Sequence, residues 1–288
     1  MKPPPFDYAA PSELDEVVEL LAEQGEDARL LAGGQSLVPM LALRLARPSF
    51  LIDLNRVSGV SGIALDGNLR IGAMARQAAI LADPVVAREL PVLAEAIRHI
   101  GHLQTRNRGT FGGSLCLSDP AAELPALALM LDAEFELRSR RGVRTVSAAD
   151  FFTGPYSTAI EFDEVLVAAN LPCVTPDTTM AIREISRRHG DFALVGAAVR
   201  LRVGADRRIA DARLSWFGIA HQPIRSVVTE AALIGQAVDG LDCADVGAAA
   251  VAEIEARDDV HATAGYRSRA GARLVAAMFR DTLEGFVE

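Results

Sequence analysis

The chain has 288 residues and a formal net charge of -9, and 50% of it is apolar. That length predicts about two domains, with enough core to need neither disulfides nor metal. The acidic balance, with no runs of Lys and Arg, excludes non-specific nucleic-acid binding.

The opening Met1-Lys2-Pro3-Pro4-Pro5 lacks the apolar segment of a signal peptide. No apolar stretch is long enough to span a bilayer. Cys116, Cys173 and Cys243 are far apart and form no CxxC. They fit buried apolar positions in a reducing compartment, so a cytoplasmic location is expected. They also exclude a self-contained iron–sulfur cluster, which needs a full set of thiolates.

Phe6-Asp7-Tyr8 reads as a short strand. Ser12 caps the helix that follows, with Asp15 at the capping-box position. Leu14, Val17, Val18 and Leu21 form its apolar stripe, and Gly25 ends it. Arg29 to Leu31 is a strand, Ser36 to Ala46 a helix stopped by Pro48, and Phe50 to Leu54 another strand. The opening is therefore a β-α-β-α-β unit. Leu69 to Gly72 starts a new strand. Helices span Arg76 to Ala82 and Val85 to Ile100, punctuated by Pro84 and Pro91. Pro125 lies in the first turn of a helix ending at Leu131. Glu134 to Arg138 and Val165 to Leu171 are strands.

Pro176-Asp177-Thr178-Thr179 reads as a linker. Beyond it come strands at Met180–Ser186, Ala193–Val203 and Ile209–Ile219. Helices follow at Thr229–Gln236, Ala244–Arg257 and Tyr266–Leu283. Strands first and helices last predict a sheet covered by helices, in an α+β chain.

Two glycine pairs carry the chemistry. The first is Ala32-Gly33-Gly34-Gln35-Ser36, the second Thr110-Phe111-Gly112-Gly113-Ser114. Glycine permits close approach and positive φ, and successive backbone N–H groups then form an anion-binding concavity. The first has neither the Gly-Lys-Ser/Thr end of a P-loop nor GxGxxG spacing. By itself it reads equally as a phosphate cradle or a plain strand–helix turn. In the second, Thr110 and Ser114 can donate to phosphate oxygens. Asp119 can accept from ribityl or ribose hydroxyls, or simply form an Asx-turn before the next helix. Arg106 and Arg108 favour bracing the segment over pairing with phosphate. His99 and His102 form an HxxH without a third ligand, so no metal site is expected. His189 sits in the polar turn Ser186–Ala193. No nucleophile elbow or carboxylate pair is present, so no hydrolase is expected and no catalytic side chain is assigned.

The combined motifs resemble the FAD-binding medium subunit of bacterial molybdenum hydroxylases, the carbon monoxide, xanthine, nicotine and aldehyde dehydrogenase group. The resemblance runs through the opening Pro-Phe-Asp-Tyr, Ala32 to Pro39, Arg47-Pro48, Ile52 to Asn55 and Ile100-Gly101-His102. It continues through Arg106 to Ser114, Asp119 to Pro125, Asp150-Phe151-Phe152, Ser186 to Ala193 and Tyr266-Arg267. It implies a two-subdomain FAD-binding (PCMH-type) domain over residues 1–176, divided near residue 57. A C-terminal antiparallel-sheet-plus-helices domain would span 177–288. By resemblance, both glycine pairs hold the FAD diphosphate through Ala32 to Ser36 and Thr110 to Ser114. Asp119 is the acidic residue after the second pair, Leu166 an apolar contact beside the flavin, and Arg183 a polar one on the next strand. Phe111 stands where many relatives have an aliphatic residue, and should face the core.

The implied work is electron transfer. A large molybdopterin-cofactor subunit would hydroxylate substrate, and a small 2Fe-2S subunit would pass electrons to FAD here. FAD would then deliver them to an external acceptor. The expected assembly is a heterohexamer, a dimer of heterotrimers. No nicotinamide motif is evident, so NAD is not a favoured acceptor. The competing expectations are a self-sufficient FAD-dependent oxidase and a non-catalytic bridging subunit. On the FAD reading, Gly33→Val or Gly112→Val should abolish FAD retention, measured by the flavin absorbance of the purified chain, and leave the fold largely intact.

Overall fold

The computed structural model describes residues 2–173 and 175–286. The outermost residues of the expected domains, 1 and 287–288, and residue 174 lie outside the described set. The first unit is β1 (Asp7–Ala9), α1 (Leu14–Gln24), β2 (Ala28–Leu31), α2 (Leu37–Ala42) and β3 (Phe50–Asp53). Its three strands are parallel in the order β1-β3-β2. Helical crossovers make that order possible. Val17, Val18 and Leu21 of α1 are buried against Ile52 and Leu54. The expected β-α-β-α-β unit is therefore present, with two local differences. The N-cap of α1 is Glu13, not Ser12, and Glu16 accepts from the Ser12 backbone N–H at 3.1 Å. Helix α2 stops at Ala42 rather than Ala46, because Arg44 turns left-handed at φ 59°.

The second unit holds β4 (Ile63–Asp66), β5 (Asn68–Gly72), α3 (Gln77–Ala82), α4 (Pro84–Glu89) and α5 (Pro91–His99). It continues with α6 (Leu103–Arg108), α7 (Phe111–Leu117), α8 (Glu123–Met130), β6 (Glu134–Ser139) and β7 (Gly142–Ser147). Then come α9 (Ala148–Phe151), β8 (Phe152–Gly154), β9 (Ser157–Thr158) and β10 (Val165–Leu171). The main sheet runs β4-β5-β10-β6-β7 with every pairing antiparallel. Phe135, Phe151 and Phe152 pack ring against ring at 4.3 to 5.9 Å between centroids. Helix α6 and strands β4 and β7 were not expected from the sequence. Both strands are hairpin partners whose residues are mostly exposed, so they lack an apolar pattern.

The third sheet contains β11 (Thr178–Ile185), β12 (Val195–Val203), β13 (Ile209–Phe217) and β14 (Ile224–Arg225), antiparallel in that order. Three helices follow: α10 (Val227–Leu233), α11 (Cys243–Ala252) and α12 (Ala264–Glu284). Strands then helices match the sequence reading. Trp216 is fully buried towards the helical layer, and its indole N–H donates to Ser226 Oγ at 2.7 Å. The next-door Ser215 hydroxyl, on the opposite face, donates to the Ala126 carbonyl of α8 at 2.7 Å. Every residue of α8 is buried and all but Glu123 are apolar, so this helix lies between the second unit and the third sheet. Just beyond it, the Asp132 carboxylate accepts from Arg200 at 2.9 Å, Arg213 at 3.0 Å and Arg225 at 2.8 Å. Among the described residues, no helix is long and apolar enough to cross a membrane.

A titratable cluster lies in the seam between α5, α8 and β11. His99 Nδ1 is 3.6 Å from Glu184 Oε1, and Glu123 of α8 is 7% exposed. Burial, reinforced by Glu184 and Asp119, pushes the Glu123 carboxyl up to about 8, although His99 opposes the shift. The nearby Glu184 carboxylate raises His99 against the effect of burial. Both groups hold protons in the folded state that the unfolded chain would release. Their stabilisation is complete below pH 4.5, the unshifted Glu value, and is lost as pH rises through about 8. Glu95, Arg98, Arg183 and Asp119 supply the remaining charge around the seam. Glu123→Gln should flatten this dependence, raising Tm at pH 8.5 by about 4 °C and leaving Tm at pH 5 unchanged. Thermal unfolding across that pH range checks it, and a slope equal to the parent's would refute it.

Candidate functional site

Strand β2 delivers the chain into Ala32-Gly33-Gly34-Gln35-Ser36, where α2 begins. Gly34 has φ +73°, a conformation that favours glycine. Among the described residues, the backbone N–H groups of Gly33, Gly34, Gln35 and Ser36 have no protein acceptor. Gly33 is buried, Gly34 and Ser36 are half-buried and Gln35 is exposed, so this run of donors is left for solvent or a ligand. Gln35 is exposed and its amide donates to the Gly33 carbonyl at 3.3 Å.

The second pair is built differently. It is not a free loop but the first turn of α7, with Thr110 as N-cap. Its donors are already used. Phe111 N–H donates to Ala75 O at 2.9 Å, Gly112 N–H to Ala73 O at 2.8 Å, and Gly113 N–H to Thr110 Oγ1 at 3.1 Å. Phe111 is 2% exposed and sits in the core, as expected. Ser114 is half-buried, and among the described residues its hydroxyl has no protein partner.

The two segments touch. A Cβ placed on Gly33 would lie 2.4 Å from the Arg108 carbonyl oxygen and 2.9 Å from the Gly109 Cα. One placed on Gly113 would meet the Ala32 methyl at 3.5 Å. One on Gly112 would lie 2.5 Å from the Ala73 Cβ and 2.8 Å from its Cα. Three of the four glycines thus let chain pack on chain.

A polar network spans the junction. Tyr8 donates to Asp53 at 2.6 Å, and Asp53 accepts from the Asn55 backbone N–H at 2.9 Å. The Asn55 amide donates to the Ala32 carbonyl at 3.0 Å. Arg76 donates to Asn55 Oδ1 and to the Arg108 carbonyl. Burial, with the like charge of Arg108, lowers the Arg76 pKa, while Asp53 opposes the shift. Arg106 braces the approach, donating to Ile100 O at 2.9 Å and Gly101 O at 3.0 Å, as the sequence favoured. The Arg108 side chain is exposed.

Asp119 forms the Asx-turn foreseen as one alternative, accepting from Ala121 N–H at 2.9 Å, and its other oxygen accepts from Tyr156 OH at 3.3 Å. Ser118 before it is left-handed at φ 49° and fully buried, with no partner for its hydroxyl among the described residues. Leu166 is 4% exposed and packed in the main core. Arg183 pairs with Asp281 of α12 at 2.6 Å. It shares a face of β11 with Ala181 and Ile185, which pack on the helical layer, whereas Ile182 faces the second unit's core. The structure therefore joins Ala32–Ser36 to Thr110–Ser114 directly, while Arg183 is engaged elsewhere. His99 and His102 join no group of metal-ligating side chains among the described residues.

Sequence reasoning missed Arg76. Its one local signal is a cation at the N-cap of α3, where the helix dipole disfavours positive charge.

Residues 4–174 match the family described as the FAD binding domain in molybdopterin dehydrogenase. The chain belongs to this family. Residues 180–282 match the CO dehydrogenase flavoprotein C-terminal domain. As a member of this FAD-binding family, the chain is similar to the 6-hydroxypseudooxynicotine dehydrogenase complex subunit alpha of Paenarthrobacter nicotinovorans. The two are 38% identical over 270 residues, which is 93% of this chain and 91% of that one. It is 37% identical to the carbon monoxide dehydrogenase medium chain of Hydrogenophaga pseudoflava, over 96% of each. Among solved structures, carbon monoxide dehydrogenase from Hydrogenophaga pseudoflava superposes with a TM-score of 0.93 at 38% identity, covering 96% of both chains. Quinoline 2-oxidoreductase from Pseudomonas putida 86 gives 0.93 at 37% identity over 99% of both.

The neighbours that a Cβ would meet, a junction between units at Gly33 and the core at Gly112, separate the glycines by effect. Gly33→Val should force the Arg108–Gly109 backbone away at the junction of the first two units and leave each unit folded. Gly112→Val departs from the expectation of an intact fold, because its side chain would enter the packed backbone of Ala73. It should lose about 2 kcal/mol or more of stability. Chemical denaturation of both variants tests this, and equal stabilities would contradict it.

Proposed function

We propose that this chain is the FAD-carrying electron-transfer subunit of a molybdenum-containing hydroxylase or dehydrogenase. The observation that carries the reading is the run of four unpaired backbone donors at Gly33–Ser36, wedged against the second glycine pair. Such a run of free amides fits an anion such as a diphosphate. The family match supplies the identity of the cofactor.

The donors at Gly33 to Ser36 bind the FAD diphosphate, with the Ser36 and Ser114 hydroxyls beside them. Thr110, Phe111, Gly112 and Gly113 set the shape of the opposite wall, and Ala32 joins the two. Asp119 accepts from sugar-chain hydroxyls, using lone pairs that its Asx-turn leaves free. Leu166 supports the flavin side from within the core. Arg183 is our proposed polar contact on β11, on the strand face where it pairs with Asp281. When bound, FAD accepts electron pairs and passes them on, and the protein orients it and excludes water. The division at 1–176 and 177–288 is our domain assignment, supported by family matches that end at 174 and resume at 180.

Relatives are named medium chains or subunits of complexes. By the same reading, this chain works with a large molybdopterin subunit and a small 2Fe-2S subunit, as a dimer of heterotrimers in the cytoplasm. The clusters come from another chain, since Cys116, Cys173 and Cys243 lie apart in sequence. An acceptor outside the complex takes the electrons.

The purified chain mixed with FAD should retain the flavin through gel filtration and show its visible bands in about one-to-one ratio. Absence of those bands would overturn the reading. Rapid bleaching by a small organic substrate with no partner subunit present would favour a self-sufficient oxidase instead.

A further inference from the structure

We infer that Arg76 is a positioning residue, a two-headed clamp that fixes the spacing between the two glycine segments before the diphosphate arrives. This rests on the FAD reading above and adds a residue to it.

Arg76 sits where three pieces of chain meet. One guanidinium nitrogen donates to the Arg108 carbonyl, the same oxygen that faces Gly33. The other donates to Asn55, whose own amide holds the Ala32 carbonyl. The backbone on either side is tied to the second segment: Gln77 N–H donates to Gly109 O at 3.0 Å, and Phe111 N–H to Ala75 O at 2.9 Å. Arg76 thereby connects the end of β3, the start of the first glycine segment and the entry to the second. A planar fork can satisfy two acceptors with fixed geometry, which a lysine ammonium does less well.

The electrostatics favour an anion here. Arg76 stands beside Arg108 and at the N-terminus of α3, with Asp53 as the only carboxylate among the charges that shift it. Partial burial of one cation next to another costs free energy, and a diphosphate offsets that cost. The network also relieves the four donors at Gly33–Ser36 of any need to brace themselves. They are held open from behind, so the cradle is preorganised.

The test uses the full chain and three readouts: FAD dissociation by flavin fluorescence, hydrogen exchange of the FAD-free chain, and thermal unfolding. Arg76→Leu should weaken FAD binding by about thirtyfold, the loss expected for a charge-assisted pair of hydrogen bonds. Exchange should accelerate at residues 109 and 111–113, whose amides are hydrogen-bonded, and stay at parent rates in α12. Arg76→Lys should recover part of the affinity but not the slow exchange, because a single ammonium lacks the planar fork that fixes both acceptors at once. FAD affinity in Arg76→Leu within about threefold of the parent would overturn the clamp, as would full recovery by lysine. Faster exchange spread across the whole chain would overturn it too, by showing a general structural role. Failure of the parent chain to bind FAD would instead overturn the functional reading, so the two outcomes are distinguishable.

Discussion

The contact of Gly33 with the backbone of Arg108 and Gly109 is the constraint on which the rest of the site depends. It joins a parallel β-α-β-α-β unit to an antiparallel one, and neither sheet hydrogen-bonds to the other. Without a Cβ at Gly33, two backbones come together at a distance that no other residue permits. The polar network of Tyr8, Asp53, Asn55 and Arg76 then fixes the angle of approach. Hydrogen bonds of this kind contribute about 1 kcal/mol each and add direction that apolar contact lacks.

The third sheet is held by a different logic. Helix α8 is buried on all sides and apolar apart from Glu123, so it can serve two layers at once. Ser215 ties it to β13, and Asp132 at its end gathers three arginines from the third sheet. A single carboxylate with three guanidinium partners compensates only part of their charge, so the cluster depends on their partial exposure and on Asp211 and Glu230, which share the load. The seam beside it keeps Glu123 protonated near neutral pH. Docking of the third sheet therefore combines apolar burial with polar groups that prefer one protonation state.

Much of this was legible in the sequence, and for definite reasons. The apolar stripe of α1 and the run Val165–Leu171 announce themselves because burial forces a period. The long strands β12 and β13 and helix α12 are readable on the same grounds. Strands β4 and β7 escaped because they are exposed hairpin partners, held by register rather than by apolar residues. Helix α6 escaped because Leu103-Gln104-Thr105-Arg106-Asn107-Arg108 is polar and short, with no buried residue. The cap of α1 moved by one residue because Glu16 reaches back to Ser12, a choice that local preference alone does not settle. Both glycine segments were found by composition. Arg76 was not, since its partners are 21 and 32 positions away and only the fold brings them together.

The structure also divides the labour between two segments that look alike on paper. Both have paired glycines followed by a serine, which suggested two similar cradles. In the first, the amides stay free and Gly34 turns left-handed. In the second, the amides are consumed by Ala75, Ala73 and Thr110, and its glycines serve packing. A segment whose donors are already satisfied cannot lend them to an anion without breaking its own helix cap. It can, however, present Ser114 and hold a rigid wall against which the free donors work. Glycine-rich sequence therefore signals close approach to the rest of the protein in both places, and the first segment alone keeps its amides free. The amide partners tell the two apart, and they are fixed by tertiary contacts with residues 73 to 75 that lie far outside either motif.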